Sequence, residues 1–256
     1  MGHKLILLSL TPKRSIVKKV TNCRICGGAS FTRYLDLGKV PLCNNLTSDD
    51  KTKYPIEVLL CNDCFLSQLS VVVDPNVLYS NYLYHSSVSE TFRKHCRELA
   101  RTLKSIWVKP DRPEWLYKDI DWDKTVFPTV LDIACNDKCL LREFQEEGFG
   151  VLGVEPAENF NTTSIIQKKI EDGEELSHKD FIPVFKGFWS LDTAKELLGS
   201  NKRPWWNYSF VTAQNVLAHV DDVSGFVHGV EIVLDDNGGV CGRVSILTKL
   251  NQREPV

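Results

Sequence analysis

The sequence predicts an α/β fold, a parallel sheet covered on both faces by helices, with a small cysteine-rich module in front of it. Two observations carry the prediction. Two Cys-x-x-Cys pairs, Cys23/Cys26 and Cys61/Cys64, stand in a turn-rich N-terminal stretch. From Thr125 onward, short apolar runs alternate with amphipathic segments, and repeated strand–helix units of this length imply a parallel sheet. At 256 residues the chain accommodates one large domain or two modest ones.

Taken in order, residues 1–20 form a basic arm: the first 22 residues carry His3, Lys4, Lys13, Arg14, Lys18 and Lys19 and no acidic side chain. Such an arm is either a solvated terminus or a segment able to touch phosphate. Residues 21–75 hold both cysteine pairs, and the alternation of Ile56, Val58 and Leu60 into Cys61 suits short strands around a knuckle. From about Val77 to Trp107 the pattern turns helical, with Phe92, Cys96, Leu99, Leu103 and Trp107 forming one apolar stripe. Pro110 and Pro113 interrupt any helix after it, beside Trp115 and Trp122, so residues 76–124 read as a helical linker.

Within residues 125–256, strands are expected at Thr129–Ile133, Gly150–Val154, Ile182–Phe185, Tyr208–Ala213 and Val240–Ile246. Pro128 marks the first start, since proline is tolerated at a strand's first residue. A helix over Cys139–Glu147 carries Leu140, Leu141 and Phe144. A later one places Val223, Phe226, Val227 and Val230 on one side, with Asp222 as N-cap and Gly238-Gly239 as exit turn.

Composition narrows the function classes. Thirty-one Lys+Arg against 33 Asp+Glu gives a net charge of −2, which argues against a surface tuned to nucleic acid or anionic lipid. The knuckle region 21–70 balances five basic against five acidic residues, whereas a nucleic-acid-binding ribbon is lopsidedly basic. The apolar stretch Leu5–Leu10 is too short to span a bilayer, and Ile6 stands where a myristoylation signal needs Ser or Thr. The chain reads as cytoplasmic, with no membrane partner.

Nine cysteines without a secretory signal favour a metal site over a disulfide framework. Two residues between sulfurs let each pair fold back and present both thiolates to one ion. Cys23, Cys26, Cys61 and Cys64 thus supply a closed tetrahedral Zn2+ site of structural type. Gly27 and Gly28 relieve the turn, and Cys43 is a substitute ligand in the gap. A redox pair and incidental buried thiols are the other readings of these cysteines.

A second constellation lies farther on. Val130-Leu-Asp-Ile-Ala-Cys-Asn-Asp-Lys138 runs from a buried strand into a helix, at the sheet end where open α/β folds bind ligands. Twenty-three residues after Asp132, Glu155 follows the second strand, placed to accept both hydroxyls of a ribose. The alternative is a helix N-terminus capped by Asn136 or Asp137 beside an ordinary Glu. Asn215 and His219 end the fourth strand near the same crevice, and a lone His is either an acid–base group or a structural one.

Together these motifs, with Tyr82-Leu-Tyr84-His-Ser-Ser87, Leu152-Gly-Val-Glu-Pro-Ala157 and Asn215-Val-Leu-Ala-His219, resemble the sugar C-methyltransferases. That family uses S-adenosylmethionine (SAM) and acts on nucleotide-linked 4-keto-deoxysugars. The resemblance covers residues 21–246 and implies a class I SAM methyltransferase (Rossmann-like) domain behind a zinc-knuckle domain. It further implies zinc on the four cysteines and SAM over Asp132, Ala134, Asn136 and Asp137, with Glu155 on the ribose and Asn215 nearby. Tyr82, Tyr84 and Ser87 would close over cofactor and substrate, and His219 would do acid–base or enolate-stabilising work in making a carbon nucleophile.

The chain departs from the family pattern where Ala134 and Lys138 replace glycines, which permit positive φ and close backbone approach. A lysine there sets a Cβ and a long side chain on the approach route. The family also continues past the fifth strand into a segment bearing its catalytic base, whereas this sequence stops at Val256. The expectation is therefore a methyltransferase, either complete or assisted by a complementing C-terminal polypeptide or by a homo-oligomeric neighbour on an open sheet edge. The alternative is a catalytically impaired, zinc-stabilised scaffold.

Overall fold

The structure, a computed structural model, describes residues 16–42, 52–107, 128–160, 181–200 and 207–243. The chain divides after Leu78 into two compact units. Most of the basic arm, Cys43, the proline-rich stretch and residues 244–246 of the expected last strand lie outside the described residues.

The first unit holds β1 (Val17–Lys19), β2 (Phe31–Val40), β3 (Tyr54–Cys61), β4 (Ser67–Leu69) and β5 (Val71–Val73). Strands β2, β3 and β4 form an antiparallel sheet in that order, and β1 pairs with β5. Among the described residues, Val20, Cys23, Tyr54 and Cys61 are its buried apolar ones, while nearly all of β2 is exposed. So small a core does not hold a module on apolar burial alone, and modules of this size use a metal or disulfides.

A short helix, α1 (Pro75–Tyr79), leads into the second unit, which contains α2 (Glu90–Trp107), β6 (Thr129–Ile133), α3 (Cys139–Glu146), β7 (Gly150–Glu155), β8 (Val184–Lys186), α4 (Leu191–Ser200), β9 (Tyr208–Gln214), α5 (Val223–Val233) and β10 (Leu234–Arg243). The sheet is parallel throughout, in the order β10-β9-β6-β7-β8. The chain starts at the centre, moves outward through β7 and β8, and returns to the far side of β6. Strand order therefore reverses between β6 and β9, and the crevice beyond their carboxyl ends is the ligand position of doubly wound sheets.

Alternation along the central strands feeds two cores. Leu131, Ile133, Val211 and Ala213 pack with Ala194 and Leu197 of α4 and with Phe226, Val230 and Val233 of α5. Val130 and Phe210 face the other way, onto Cys96, Ala100 and Leu103 of α2 and Leu140 and Phe144 of α3. The stripe read as belonging to a linker is thus the cover of one sheet face.

Three expectations change in detail. The helical pattern from Val77 breaks, because residues 80–89 hold only one 3-10 turn, Ser86–Val88, between α1 and α2. Val227 is 51% exposed, since the buried face of α5 follows Phe226, Val230 and Val233. The helix hands directly to β10, and the expected exit glycines sit in a register slip between Leu234 and Gly239. Asp222 does cap α5, its Oδ1 accepting from Gly225 N at 2.9 Å. Helix α4, whose sequence pattern drew no expectation, completes one layer. Among the described residues no helix is long and apolar enough to cross a membrane.

Gly153 of β7 has no room for a side chain: a Cβ would stand 2.4 Å from Cys135 Sγ and 3.0 Å from Leu141 Cδ1. Gly153→Ala is expected to cost about 1–3 kcal/mol in urea denaturation, the usual range for overpacking. Gly199→Ala, on α4 with nothing within 4 Å, is expected to stabilise by about 0.5–1 kcal/mol. Equal stability of the two variants would contradict this packing.

Candidate functional site

The metal centre is built from two nearly identical turns. Cys23 N donates to Gly28 O (2.7 Å) and Gly27 N to Cys23 O (2.8 Å); Cys61 N donates to Leu66 O (2.9 Å) and Phe65 N to Cys61 O (3.0 Å). The fourth residue after each leading cysteine is left-handed, Gly27 at φ 75° and Phe65 at φ 62°. Glycine takes that conformation freely, whereas phenylalanine takes it with strain of about 1 kcal/mol or more. The glycine reading thus holds for one knuckle, and the other reaches the same turn with a 72% exposed phenylalanine.

The four Sγ atoms lie within 4.8 Å of one another, with Cys23–Cys64 and Cys26–Cys61 at 3.5 Å. Four thiolates about 2.3 Å from a tetrahedral zinc stand roughly 3.8 Å apart, so the cluster fits that ion with little adjustment. Every position is filled by protein, which leaves none for substrate and makes the metal structural.

The second constellation sits at the carboxyl ends of β6, β7 and β9. Between β6 and α3 the backbone is left-handed at every second residue: Ala134 (φ 56°), Asn136 (φ 51°) and Lys138 (φ 66°). Asparagine tolerates this, alanine and lysine less so. Glu155 holds the loop in place. Its Oε2 accepts from Asn136 N (2.8 Å) and its Oε1 from Ala157 N (2.9 Å), joining the loops that follow β6 and β7. Burial raises the Glu155 pKa, opposed by those two N–H groups. Each carboxylate oxygen keeps a further lone pair for a ligand hydroxyl.

Asp132 is buried inside β6, opposite its register partner Thr212, whose Oγ1 donates to Asp132 Oδ1 at 2.6 Å. Burial pushes its pKa up to about 7; Thr212 opposes the shift and the Glu155 charge adds to it. Asp132 is therefore tied within the sheet to the neighbouring strand β9. Lys138 is 2% exposed, so its side chain does not extend outward from the loop.

Asn136 and Asp137 direct their side chains at the tyrosine-bearing segment. Asn136 Nδ2 donates to Tyr84 O (2.9 Å) and Oδ1 accepts from Ser86 N (3.0 Å) and Asp137 N (2.8 Å). Asp137 Oδ2 accepts from Ser87 N (2.9 Å), and its Oδ1 accepts from Cys139 N (3.2 Å) at the start of α3. Tyr82 is half-buried beside Tyr79, and Tyr84 is 51% exposed. Asn215 is left-handed (φ 58°) just beyond β9, its N–H bonded to Arg243 O at 2.7 Å, and His219 is exposed in the 3-10 turn Leu217–His219. By strand order, Ala134, Asn136, Asp137, Glu155, Asn215 and His219 follow the carboxyl ends of β6, β7 and β9, while Asp132 lies within the sheet.

Two residues there drew no sequence expectation. Asn159 pairs with Tyr82 through both ends of its amide, Oδ1 accepting from Tyr82 N (3.1 Å) and Nδ2 donating to Tyr82 O (2.8 Å). His95 Nε2 lies 3.3 Å from Gln214 Oε1, and Gln214 Nε2 donates to Cys241 O at 3.5 Å.

A family model and a curated relative agree with the resemblance. Residues 23–79 match the family model Methyltransf_13, described as "Putative zinc binding domain", which spans all four cysteines. The chain is 28% identical over 151 residues to the C-methyltransferase NovU of Streptomyces niveus, covering 57% of this chain. The match spans only 32% of that relative's length. Among solved structures, the PH0226 protein from Pyrococcus horikoshii is 16% identical with TM-score 0.38, covering 62% of this chain and 60% of that one. The glycopeptide N-methyltransferase MtfA, solved with SAM, is 15% identical with TM-score 0.34 over 56% of this chain and 51% of its own.

Purified protein is expected to carry one zinc ion per chain by atomic emission, and Cys61→Ser to lose it together with the melting temperature of the zinc form. Full metal content in Cys61→Ser would contradict a four-cysteine site.

The Asp132 shift has a sign that can be measured. Folded protein keeps this proton to about pH 7, whereas an unfolded chain releases it near 3.9. Its contribution is therefore fully present below about pH 4 and fades as pH rises toward 7, with a slope of up to about 1.4 kcal/mol per pH unit. Asp132→Asn is expected to flatten that decline in denaturation measured from pH 4 to 8. An unchanged slope would show that Asp132 ionises normally.

Proposed function

We propose that this chain is the cofactor-binding part of a SAM-dependent C-methyltransferase acting on a nucleotide-linked 4-keto-deoxysugar. The observation that carries the reading is Glu155, whose carboxylate closes a left-handed loop at the strand-order reversal with lone pairs to spare. A ribose diol is the ligand such an acceptor suits, and NovU similarity supplies the reaction class. The 134–138 backbone would receive the rest of the cofactor, with Asn215 alongside. SAM, when bound, supplies the electrophilic methyl group.

The chain's residues would then act on the sugar. A ketone acidifies the neighbouring C–H, and removal of that proton gives an enolate whose carbon attacks in line. Exposed His219, at the same sheet end, would take the proton or hydrogen-bond the enolate oxygen. Tyr84, half open to solvent above the loop, would orient the sugar, with Tyr82 and Ser87 shaping its segment. Positioning supplies much of such an acceleration.

One observation favours the impaired-scaffold reading: Lys138 is left-handed and its long side chain is buried within the loop. Calorimetric titration of SAM into the zinc-bound protein separates the two. The methyltransferase reading expects binding, weakened about 10- to 100-fold in Glu155→Ala by loss of hydroxyl bonds to a charged acceptor. Lys138→Gly, which relieves the strain, is expected to bind at least as tightly as wild type. Absence of binding by folded wild-type protein would leave the scaffold.

A further inference from the structure

Residues 80–87 hold no α-helix, and side chains from two loops satisfy much of their main chain. The Asn136 amide bonds Tyr84 O and Ser86 N at 2.9 and 3.0 Å, the donor–acceptor pattern one strand presents to another. Asp137 takes Ser87 N (2.9 Å). From the loop after β7, Asn159 takes both main-chain groups of Tyr82, and Glu158 N donates to Ser80 O at 2.9 Å. The His85 ring meets Phe160 edge-on, with centroids 4.9 Å apart. The segment is a strap tied to the loops that follow β6 and β7.

We propose that Asn136 and Asp137 are positioning residues, a latch that grips the main chain of residues 84–87 and holds the aromatic strap on the 134–138 loop. The inference rests on reading that loop as the cofactor loop. Hydrogen-bond capacity argues for it. Asn136 Oδ1 already accepts from Ser86 N and Asp137 N, which uses both lone pairs, and Nδ2 has one proton left after Tyr84 O. Both oxygens of Asp137 are likewise engaged by main-chain N–H groups. Most of this capacity goes to the strap and the loop itself, so whatever orders the loop orders the strap, and the coupling is reciprocal.

Two variants open the latch from opposite sides. Asn136→Gly removes the amide and keeps the left-handed backbone accessible. Ser86→Pro removes only the strap's N–H, because His85 is extended (φ −102°, ψ 122°) as a residue before proline must be, and Ser86 opens a helical turn. Amides of residues 84–88 are expected to exchange with deuterium about tenfold faster in each variant, the effect of one net hydrogen bond. The double variant is expected to be no faster than Asn136→Gly alone, since Ser86→Pro removes a contact that Asn136→Gly already removes. SAM affinity is expected to fall alike in both. Unchanged exchange would overturn the latch, as would weaker SAM binding in Asn136→Gly alone, which would mark Asn136 as a direct ligand. Wild-type protein that binds no SAM would remove the proposed function, while the exchange rates still decide the latch.

Discussion

The hydrogen bond from Asn136 N to Glu155 Oε2 is the contact on which the crevice depends. It joins the loops after two neighbouring strands and holds a backbone with three left-handed residues in five. Each such residue without glycine's freedom costs on the order of 1 kcal/mol or more, so the loop persists only because its surroundings over-determine it. Glu155 is itself in an expensive place, buried near Asp132, and both carboxyls are pushed upward by desolvation. Two main-chain N–H groups on Glu155 and the Thr212 hydroxyl on Asp132 offset that cost. The site is thus a strained loop held by the buried Glu155 carboxylate, whose charge adds to the upward shift of Asp132 beside it.

Much of the fold was legible because its signals are local. Pro128 before β6, the apolar triplet of α3 and Asp222 before α5 each act within a few residues, and the structure follows them closely. The 80–89 break was hidden because what interrupts the helix is not in that segment. Its main-chain groups are taken by Asn136, Asp137 and Asn159, more than 45 residues away in sequence. The role of α2 was missed for a similar reason: an apolar stripe states that a face is buried, and only the sheet states against what.

The site divides along the same line. Four cysteines at matched spacing announce one metal centre, since spacing alone brings each pair's thiolates together. The gathering of Ala134, Glu155, Asn215 and His219 at one sheet end follows from strand order, which alternating elements predict. The directions of side chains within the loop do not follow. Asn136 and Asp137 read equally well as cofactor ligands, helix caps or clamps; the structure engages both as clamps, and the N-cap position of α3 is Lys138, with Asp137 before it accepting from Cys139 N. Gln214 orienting His95 has no sequence trace at all, because the third member of that chain is a main-chain carbonyl on β10.

The zinc module shows the reverse balance, with its chemistry plain and its energetics hidden. Strand β2 contributes ten residues and almost no buried surface, and among the described residues the apolar core is four side chains. Phe65 adds strain in a turn that Gly27 makes without it. Neither feature is compatible with a fold maintained by packing, and both are tolerable when the binding free energy of a structural zinc, about 10 kcal/mol or more, counts as folding free energy. The metal therefore comes first in the order of causes: it fixes the two knuckles, the knuckles fix the register of β3 through Cys61, and β2 is held because β3 is.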